Sequence, residues 1–285
     1  MEQERIERLF ARITDIPTLP SSVLTVMRMV EDPNCSAADL ARVILTEPAM
    51  AAKVLKLANS SYYGFRQKIA SIPQAVTLLG FPTLKNALLS ASVFDLFRAS
   101  NIGLDLPSLW KHSIATATAS KLFAQRVRFP NVEKAFTVGL LHDVGKIIMA
   151  RYLNMALLKV LQVAKDENLT IFDAEVKVIS LNHAELGAWL LQKWQLPQAI
   201  TDAVANHHCP SKSQFNFDLA AMAYLANIIS HRAKLGNGGD DLPRVADPMV
   251  LDYFNLKESA LQEVQDSLMF KGLEIDSYAS VAAAA

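Results

Sequence analysis

The sequence predicts an all-α protein, and three observations carry that expectation. Apolar residues recur at helical spacing over most of the chain, helix-start signals precede those stretches, and alternating strand patterns are few and short. Ser36-Ala37-Ala38-Asp39 reads as a capping box opening a helix. Pro48 begins the next, in which Met50, Val54, Leu55, Leu57 and Ala58 form an apolar stripe that Asn59-Ser60-Ser61 breaks. Ser71-Ile72-Pro73-Gln74 reads as a second box, with proline in the first turn and Gly80 as the stop. Pro82 starts a further helix through about Phe97. The segment from Ser100 to Pro107, with Gly103 inside it, is the best boundary candidate. It is short, so the halves on either side are expected to pack together.

Beyond the boundary, helices are expected from about Ser108 to Val127, Val132 to Arg151 and Met155 to Glu167. Thr170-Ile171-Phe172-Asp173 caps another, and segments near 184–194, 198–206 and 218–233 follow. The stretch from Gly236 to Asp241 lacks the Lys-Ser/Thr ending of a phosphate loop and follows no strand, so it reads as a flexible linker. One or two closing helices end in a frayed tail, Ala282 to Ala285. The resulting division is an N-terminal helical subdomain over 1–105, a helical core over 106–235, and a loop with C-terminal helices over 236–285. No internal repeat of convincing period is present.

Composition narrows the class. With 285 residues and 51% hydrophobic content the chain can bury a sizeable core, which excludes disorder. Lys+Arg and Asp+Glu are equal at 28 each, without the basic surplus of a duplex binder, so no nucleic-acid partner is expected. Two distant cysteines, Cys35 and Cys209, make no disulfide framework and suit a reducing cytoplasm. Cys209 follows His207-His208 but reads as a bystander thiol. The N-terminus, Met1-Glu2-Gln3-Glu4-Arg5, lacks the apolar stretch of a signal peptide. No apolar run approaches the roughly 20 residues of a membrane span, so a cytoplasmic protein without a membrane partner is expected.

The six histidines carry the functional signal: His112, His142, His183, His207, His208 and His231. His142 precedes Asp143 within Gly139-Leu140-Leu141-His142-Asp143-Val144-Gly145-Lys146. Imidazole binds borderline metals, and a carboxylate can bridge two of them. Neighbours on a helix splay by about 100°, so a His-Asp dyad could aim one side chain at a metal while the other spans a gap. His207-His208 could grip a metal from a helix end, with His112 and His183 converging from other helices, as helical bundles build such centres. Any single histidine is more often an ordinary hydrogen-bonded residue. His231, at a polar helix end beside Arg232, is read that way.

Gly139 to Lys146 resembles the signature of the HD superfamily of metal-dependent phosphohydrolases, and the order His112, His142-Asp143, His183, His207-His208 is similar to the ligand order of its two-metal members. The N-terminal half resembles the narrower HDOD family, in Leu19-Pro20, Leu40 to Pro48, Leu57 to Gly64 and Ser71 to Gly80. Together the resemblance covers roughly residues 10 to 235. It implies an N-terminal helical subdomain packed on an HD-like core at 106–235, in a bacterial signal-transduction protein.

The resemblance further implies one or two transition-metal ions, iron or manganese with nickel or zinc as alternatives. The ligand candidates are His112, His142, Asp143, His183, His207, His208 and Asn227. The last stands where the catalytic pattern has an aspartate, and no Gly-Tyr-Pro motif follows His207-His208-Cys209-Pro210, which argues against cyclic di-GMP hydrolysis. Carried over from the two-metal relatives, the position near His112, His142, Asp143 and Asn227 is the weaker, and that near Asp143, His183, His207 and His208 the stronger. Asp143 and Lys146 are the candidate catalytic residues; Lys146 reads equally as a phosphate contact or a solvated helix lysine. Two functions follow. One is a metal-binding regulatory or scaffold module, with little or no turnover, that engages a signalling-protein partner. The other is an active phosphohydrolase on a nucleotide or phosphodiester. Either reading leaves room for a phosphate-containing small ligand.

Overall fold

The computed structural model describes residues 16–98, 103–240, 242 and 244–283. The charged N-terminus, Asp241 and the last two alanines of the tail lie outside them, as does part of the expected boundary segment. Helices and one 3-10 turn make up the secondary structure of the described residues, with no strand among them.

Among the described residues four helices come first: α1 (Ser21–Met29), α2 (Ala37–Leu45), α3 (Pro48–Ala58) and α4 (Ile72–Arg98). The Ser36 capping box is present, with the Asp39 amide donating to Ser36 Oγ and the Asp39 carboxylate accepting from the Ser36 amide. Gly80 breaks α4 at φ 73°, where the sequence marks a stop, and Pro82 lies at the start of its second arm. The first three helices pack on α4 around Leu40, Ile44, Leu57 and Leu88.

Next come α5 (Leu106–Arg126), α6 (Val132–Leu141), α7 (Gly145–Tyr152), α8 (Asn154–Glu167) and α9 (Ile171–Ile179). They are followed by α10 (His183–Lys193), α11 (Gln198–Ala205) and α12 (Phe217–Arg232). Helix α5 is the axis of the molecule. Its residues 112–120 are all buried, and α6 and α12 pack along it. Thr170 caps α9 through the Asp173 amide, and Asn182 caps α10 with a reciprocal bond from Glu185.

The single helix expected over 132–151 is interrupted. At the dyad the i→i+4 ladder gives way to i→i+3 bonds: Val144 to Leu141, Lys146 to Asp143 and Ile147 to Val144. The physical reason is close packing against α10. A Cβ on Gly145 would run into the His183 carbonyl and the Gly187 amide nitrogen, so only glycine lets the two backbones meet.

The two halves pack together. Phe94 meets Trp110 edge-on with ring centroids 5.4 Å apart, and the Trp194 indole donates to the Pro17 carbonyl at 2.7 Å. Buried Asn86 accepts from the Thr137 hydroxyl at 2.6 Å and donates to the Glu133 carboxylate at 2.8 Å. Three closing helices, α13 (Pro248–Tyr253), α14 (Glu258–Phe270) and α15 (Gly272–Ala283), complete the fold. The last spans both halves, and buried Tyr278 packs on Tyr62 and Tyr63. Helix α15 runs through Ala283, further than a frayed tail from Ala282 would allow. No single helix among the described residues is long and apolar enough to cross a membrane.

Candidate metal centre

Five segments, two of them helix interiors, deliver the ligand-type residues to one place. His112 comes from the second turn of α5, His142 and Asp143 from the turn after α6, His183 from the first position of α10, His207 and His208 from the residues after α11, and Asn227 from α12. All of the sequence-predicted candidates therefore converge. Their ligand atoms form two groups, His183 with His207 and His208, and His112 with His142 and Asp143, each within 4.8 Å. Asp143 lies between them, its Oδ1 3.2 Å from His183 Nε2 and its Oδ2 3.3 Å from His142 Nε2.

Hydrogen bonds behind the rings set which nitrogen faces the centre, in both groups. His207 Nδ1 lies 2.7 Å from the Val204 carbonyl and His142 Nδ1 lies 2.8 Å from the Gly139 carbonyl. A carbonyl only accepts, so both Nδ1 atoms must carry a proton, and the His207 ring, held neutral by burial, presents a bare Nε2 lone pair. His183 Nδ1 likewise meets the Glu175 carboxylate at 2.7 Å, and the same oxygen takes the His183 amide at 2.8 Å. His183 Nε2 stands 3.4 Å from His207 Nε2 and 3.0 Å from His208 Nε2. Where both nitrogens present lone pairs, as His183 and His207 do with their protons on Nδ1, they repel at that separation unless a cation or a shared proton lies between them. In the dry surroundings of this site that repulsion is poorly screened. His142 Nε2 and both Asp143 oxygens are also buried without a well-angled hydrogen-bond partner among the described residues. A transition metal fits this donor set of imidazole nitrogens and a carboxylate.

Charge environment agrees. Burial, helped by neighbouring imidazoles, holds His207 and His208 well below the ordinary histidine pKa, so both are neutral donors at pH 7. Burial is the largest single influence on His183 and lowers it, but the Glu175 and Asp143 carboxylates together outweigh it and raise that ring, making it the more basic donor. Asp143 is opposed by burial, yet His142 and Lys146 hold its carboxyl well below the usual range. His112 differs. Burial lowers it strongly, its Nε2 faces Asn227 Oδ1 at 3.0 Å, and its Nδ1 is buried without a partner among the described residues.

Three readings change on this geometry. Lys146 is not a solvated helix lysine: it is 2% exposed, its Nζ lies 2.7 Å from Asp143 Oδ1, and it donates to the Gly238 carbonyl at 2.6 Å. The helical splay proposed for the dyad does not apply, since His142 and Asp143 sit in a tight turn and face the same cluster. The stretch from Gly236 to Asp240 is not a free linker but a strap laid over the centre. Gly236, at φ 79°, passes so close to the His112 backbone that a Cβ would collide with it. Asp240 accepts from the Ile171 amide and pairs with Arg244.

Two residues escaped the sequence reading. Glu175 is 0% exposed and orients His183; a carboxylate four positions after Ile171, on the apolar stripe of α9, was the available signal. His231 packs on His112 with ring centroids 4.7 Å apart, and its spacing of four from Asn227 places both on one face of α12. Cys209 belongs to neither group, as expected.

A helical bundle that gathers buried histidines around a turn-borne His-Asp dyad defines an all-helical, HD-like class of protein, with side-chain groups that could hold a metal. Within that class the chain belongs to the HDOD domain family, whose model matches residues 16–210. An HDOD domain protein of unknown function from Geobacter sulfurreducens is 26% identical, with a TM-score of 0.78 over 99% of this chain and 96% of that one. A structure from Marinobacter aquaeolei VT8, provisionally named a signal transduction protein, shares the fold at 22% identity and TM-score 0.81, over 99% of this chain and 66% of that one. So does one from Shewanella amazonensis SB2B, provisionally named a phosphohydrolase, at 20% identity and TM-score 0.76, over 96% of this chain and 97% of that one. An uncharacterized protein of Treponema pallidum (strain Nichols) is 27% identical over 198 residues, 69% of this chain, which spans only 38% of that relative's length.

Proposed function

We propose that this chain is a regulatory or scaffold module of bacterial signal transduction, in which a metal held by His183, His207, His208 and Asp143 fixes the core and little or no turnover occurs. The observation that carries this reading is burial. His112, His142, Asp143, His183 and His207 are all 0% exposed, and Lys146, the residue suited to a phosphate oxygen, is spent on Asp143 and the strap. A phosphate ester reaches the centre only if the strap lifts. Asn227 adds to the argument, because an amide in place of a carboxylate leaves the His112 position a weaker, less charge-compensated one. Iron or manganese suits the mixed nitrogen and oxygen donors, with nickel and zinc as alternatives. The fold shared with the Marinobacter protein provisionally named for signal transduction supports the class, and the partner in this reading is another signalling protein.

The second reading, a working phosphohydrolase, is favoured by one observation: Asp143 lies within reach of both histidine groups, as a bridging carboxylate would. A bound metal would there acidify a water and polarise a phosphoryl oxygen. Asp143 would hold that position, and Lys146 would have to leave Gly238 to meet the substrate.

Elemental analysis of protein purified without added metal, combined with a panel of phosphate monoesters and cyclic dinucleotides assayed with iron or manganese supplied, separates the two. The scaffold reading expects bound metal and no turnover above the metal-only control. Hydrolysis that Asp143→Ala abolishes would replace it with the phosphohydrolase.

A further inference from the structure

Beside the metal centre, on the far side of the strap, lies a cavity of about 920 Å³ that none of the metal-site chemistry uses. Ligand pockets span about 300–1,000 Å³, so the volume suits a molecule of nucleotide size. Its wall carries Lys111, Arg232, Lys234 and Arg244, together with His231, and no carboxylate among the described lining residues. In a chain of formal net charge zero, this is a local concentration of cations.

The anionic partners of these cations lie outside the lining. Lys111 pairs with Asp276 at 2.6 Å, where the acid is 48% exposed, and Arg232 pairs with Glu258, which is 62% exposed. The exposed Asp276 holds Lys111 weakly, whereas Arg232 is also fixed by its Nε and Nη2 donating to the Arg244 carbonyl at 3.2 and 3.1 Å. Lys234 is exposed and has no carboxylate partner among the described residues. Arg244 is the fixed element: its guanidinium is held by the largely buried Asp240 at 3.0 Å, while its Nε is buried without a partner among the described residues. A partly satisfied, well-anchored guanidinium next to the ammonium groups of Lys111 and Lys234 suits fork-shaped and point-charge recognition of phosphate oxygens. Ser108 and Asn237 add polar groups at the rim.

We infer that this cavity is a binding site for the polyphosphate group of a small anion, separate from the metal ligands. Lys111, Lys234, Arg232 and Arg244 meet its oxygens. The site stands independently of whether the metal centre turns anything over. It shares a wall with that centre, because His231 lines the cavity and packs on His112, and Gly236 lines it two residues before the carbonyl that takes Lys146.

The test is calorimetric titration of the full chain as purified, with no chelator added, so that the His183→Ala variant reports any phosphate bound through the metal centre. Inorganic tripolyphosphate is one probe and a nucleoside triphosphate the other. The paired variant Lys111→Gln with Lys234→Gln removes charge from two partly or fully exposed positions, and its thermal midpoint verifies folding. The expected result is one site per chain, weakened about tenfold or more in the variant, which is about 1.4 kcal/mol. Tighter binding of the nucleoside triphosphate identifies a nucleotide as the occupant, and equal binding identifies the polyphosphate group alone; both support the site. Absence of binding to the wild-type chain overturns it. So does binding that the paired variant leaves intact and His183→Ala removes, since that places the phosphate at the metal centre.

Discussion

The two corners of the metal centre are made of similar residues and supported very differently. At one, Glu175 and the Val204 carbonyl fix the protons of His183 and His207 on Nδ1, and three Nε2 atoms face each other at 3.0–3.4 Å. At the other, the Gly139 carbonyl holds His142 in the same way, but His112 Nδ1 is without a partner among the described residues and its Nε2 meets an amide, Asn227, where a carboxylate would balance charge. The difference teaches that a ligand set is read from what lies behind it. Hydrogen bonds that hold each ring in one tautomer decide which corner can hold a cation firmly.

The sharpest way to break this comparison is to remove one ligand from each corner. His183→Ala is expected to strip metal from the purified protein, while His112→Ala retains it, as read by elemental analysis. Equal loss in both would erase the distinction. Next in size is Glu175→Gln, which keeps the shape but removes the charge behind His183. Metal affinity should fall about 10–100-fold, measured by competition with a chelator of known strength. An unchanged affinity would reduce Glu175 to a packing residue.

Metal removal tests the scaffold half of the account. If the cation is bound at about 100 times its Kd, it contributes about 2.7 kcal/mol to the folded state. Chelation should then lower the thermal midpoint by about 5–10 °C in calorimetry, given about 2–4 °C per kcal/mol for a chain of this order of size. A midpoint indifferent to chelator would mean that the centre does not stabilise the core. Asn227→Asp sharpens the weaker corner from the other direction. It adds a negative donor beside His112, so metal content should rise toward a second equivalent under identical supply, and unchanged content would assign Asn227 no ligand role.

The last comparison is the pH dependence of the chelated protein. His112, His207 and His208 have folded pKa values pushed below the ordinary value of 6.5, so the unfolded chain binds their protons first as pH falls. Stability should therefore drop below about pH 6.5, by up to about 1.4 kcal/mol per pH unit for each such ring. His183 acts oppositely: its raised pKa gives stability that is present at low pH and lost as pH rises through the folded value. Denaturant midpoints across pH 5 to 7 would show the net slope, and the substitution Glu175→Gln should steepen it.

Much of the fold was legible because its punctuation is local. Ser36, Thr170 and Gly80 act on their own neighbours, and the structure uses each as the sequence reads. The turn at His142 to Val144 was not legible, since Gly139 and Gly145 are tolerated inside helices and the interruption is set by contact with α10. The strap over 236–240 was hidden for the same reason. Its glycines look like slack until the His112 backbone is placed against Gly236. The convergence of the histidines followed from their order within a family pattern, whereas Glu175 and His231 are absent from that pattern and show only as polar residues on otherwise buried helix faces.

The stronger corner is tested most directly by anomalous scattering from a crystal of protein purified without added metal, recorded on both sides of the absorption edge of the element found. The account predicts a peak among Nε2 of His183, His207 and His208, within about 2.0–2.2 Å of each nitrogen. No peak there, or a peak confined to His112 and Asn227, would contradict it.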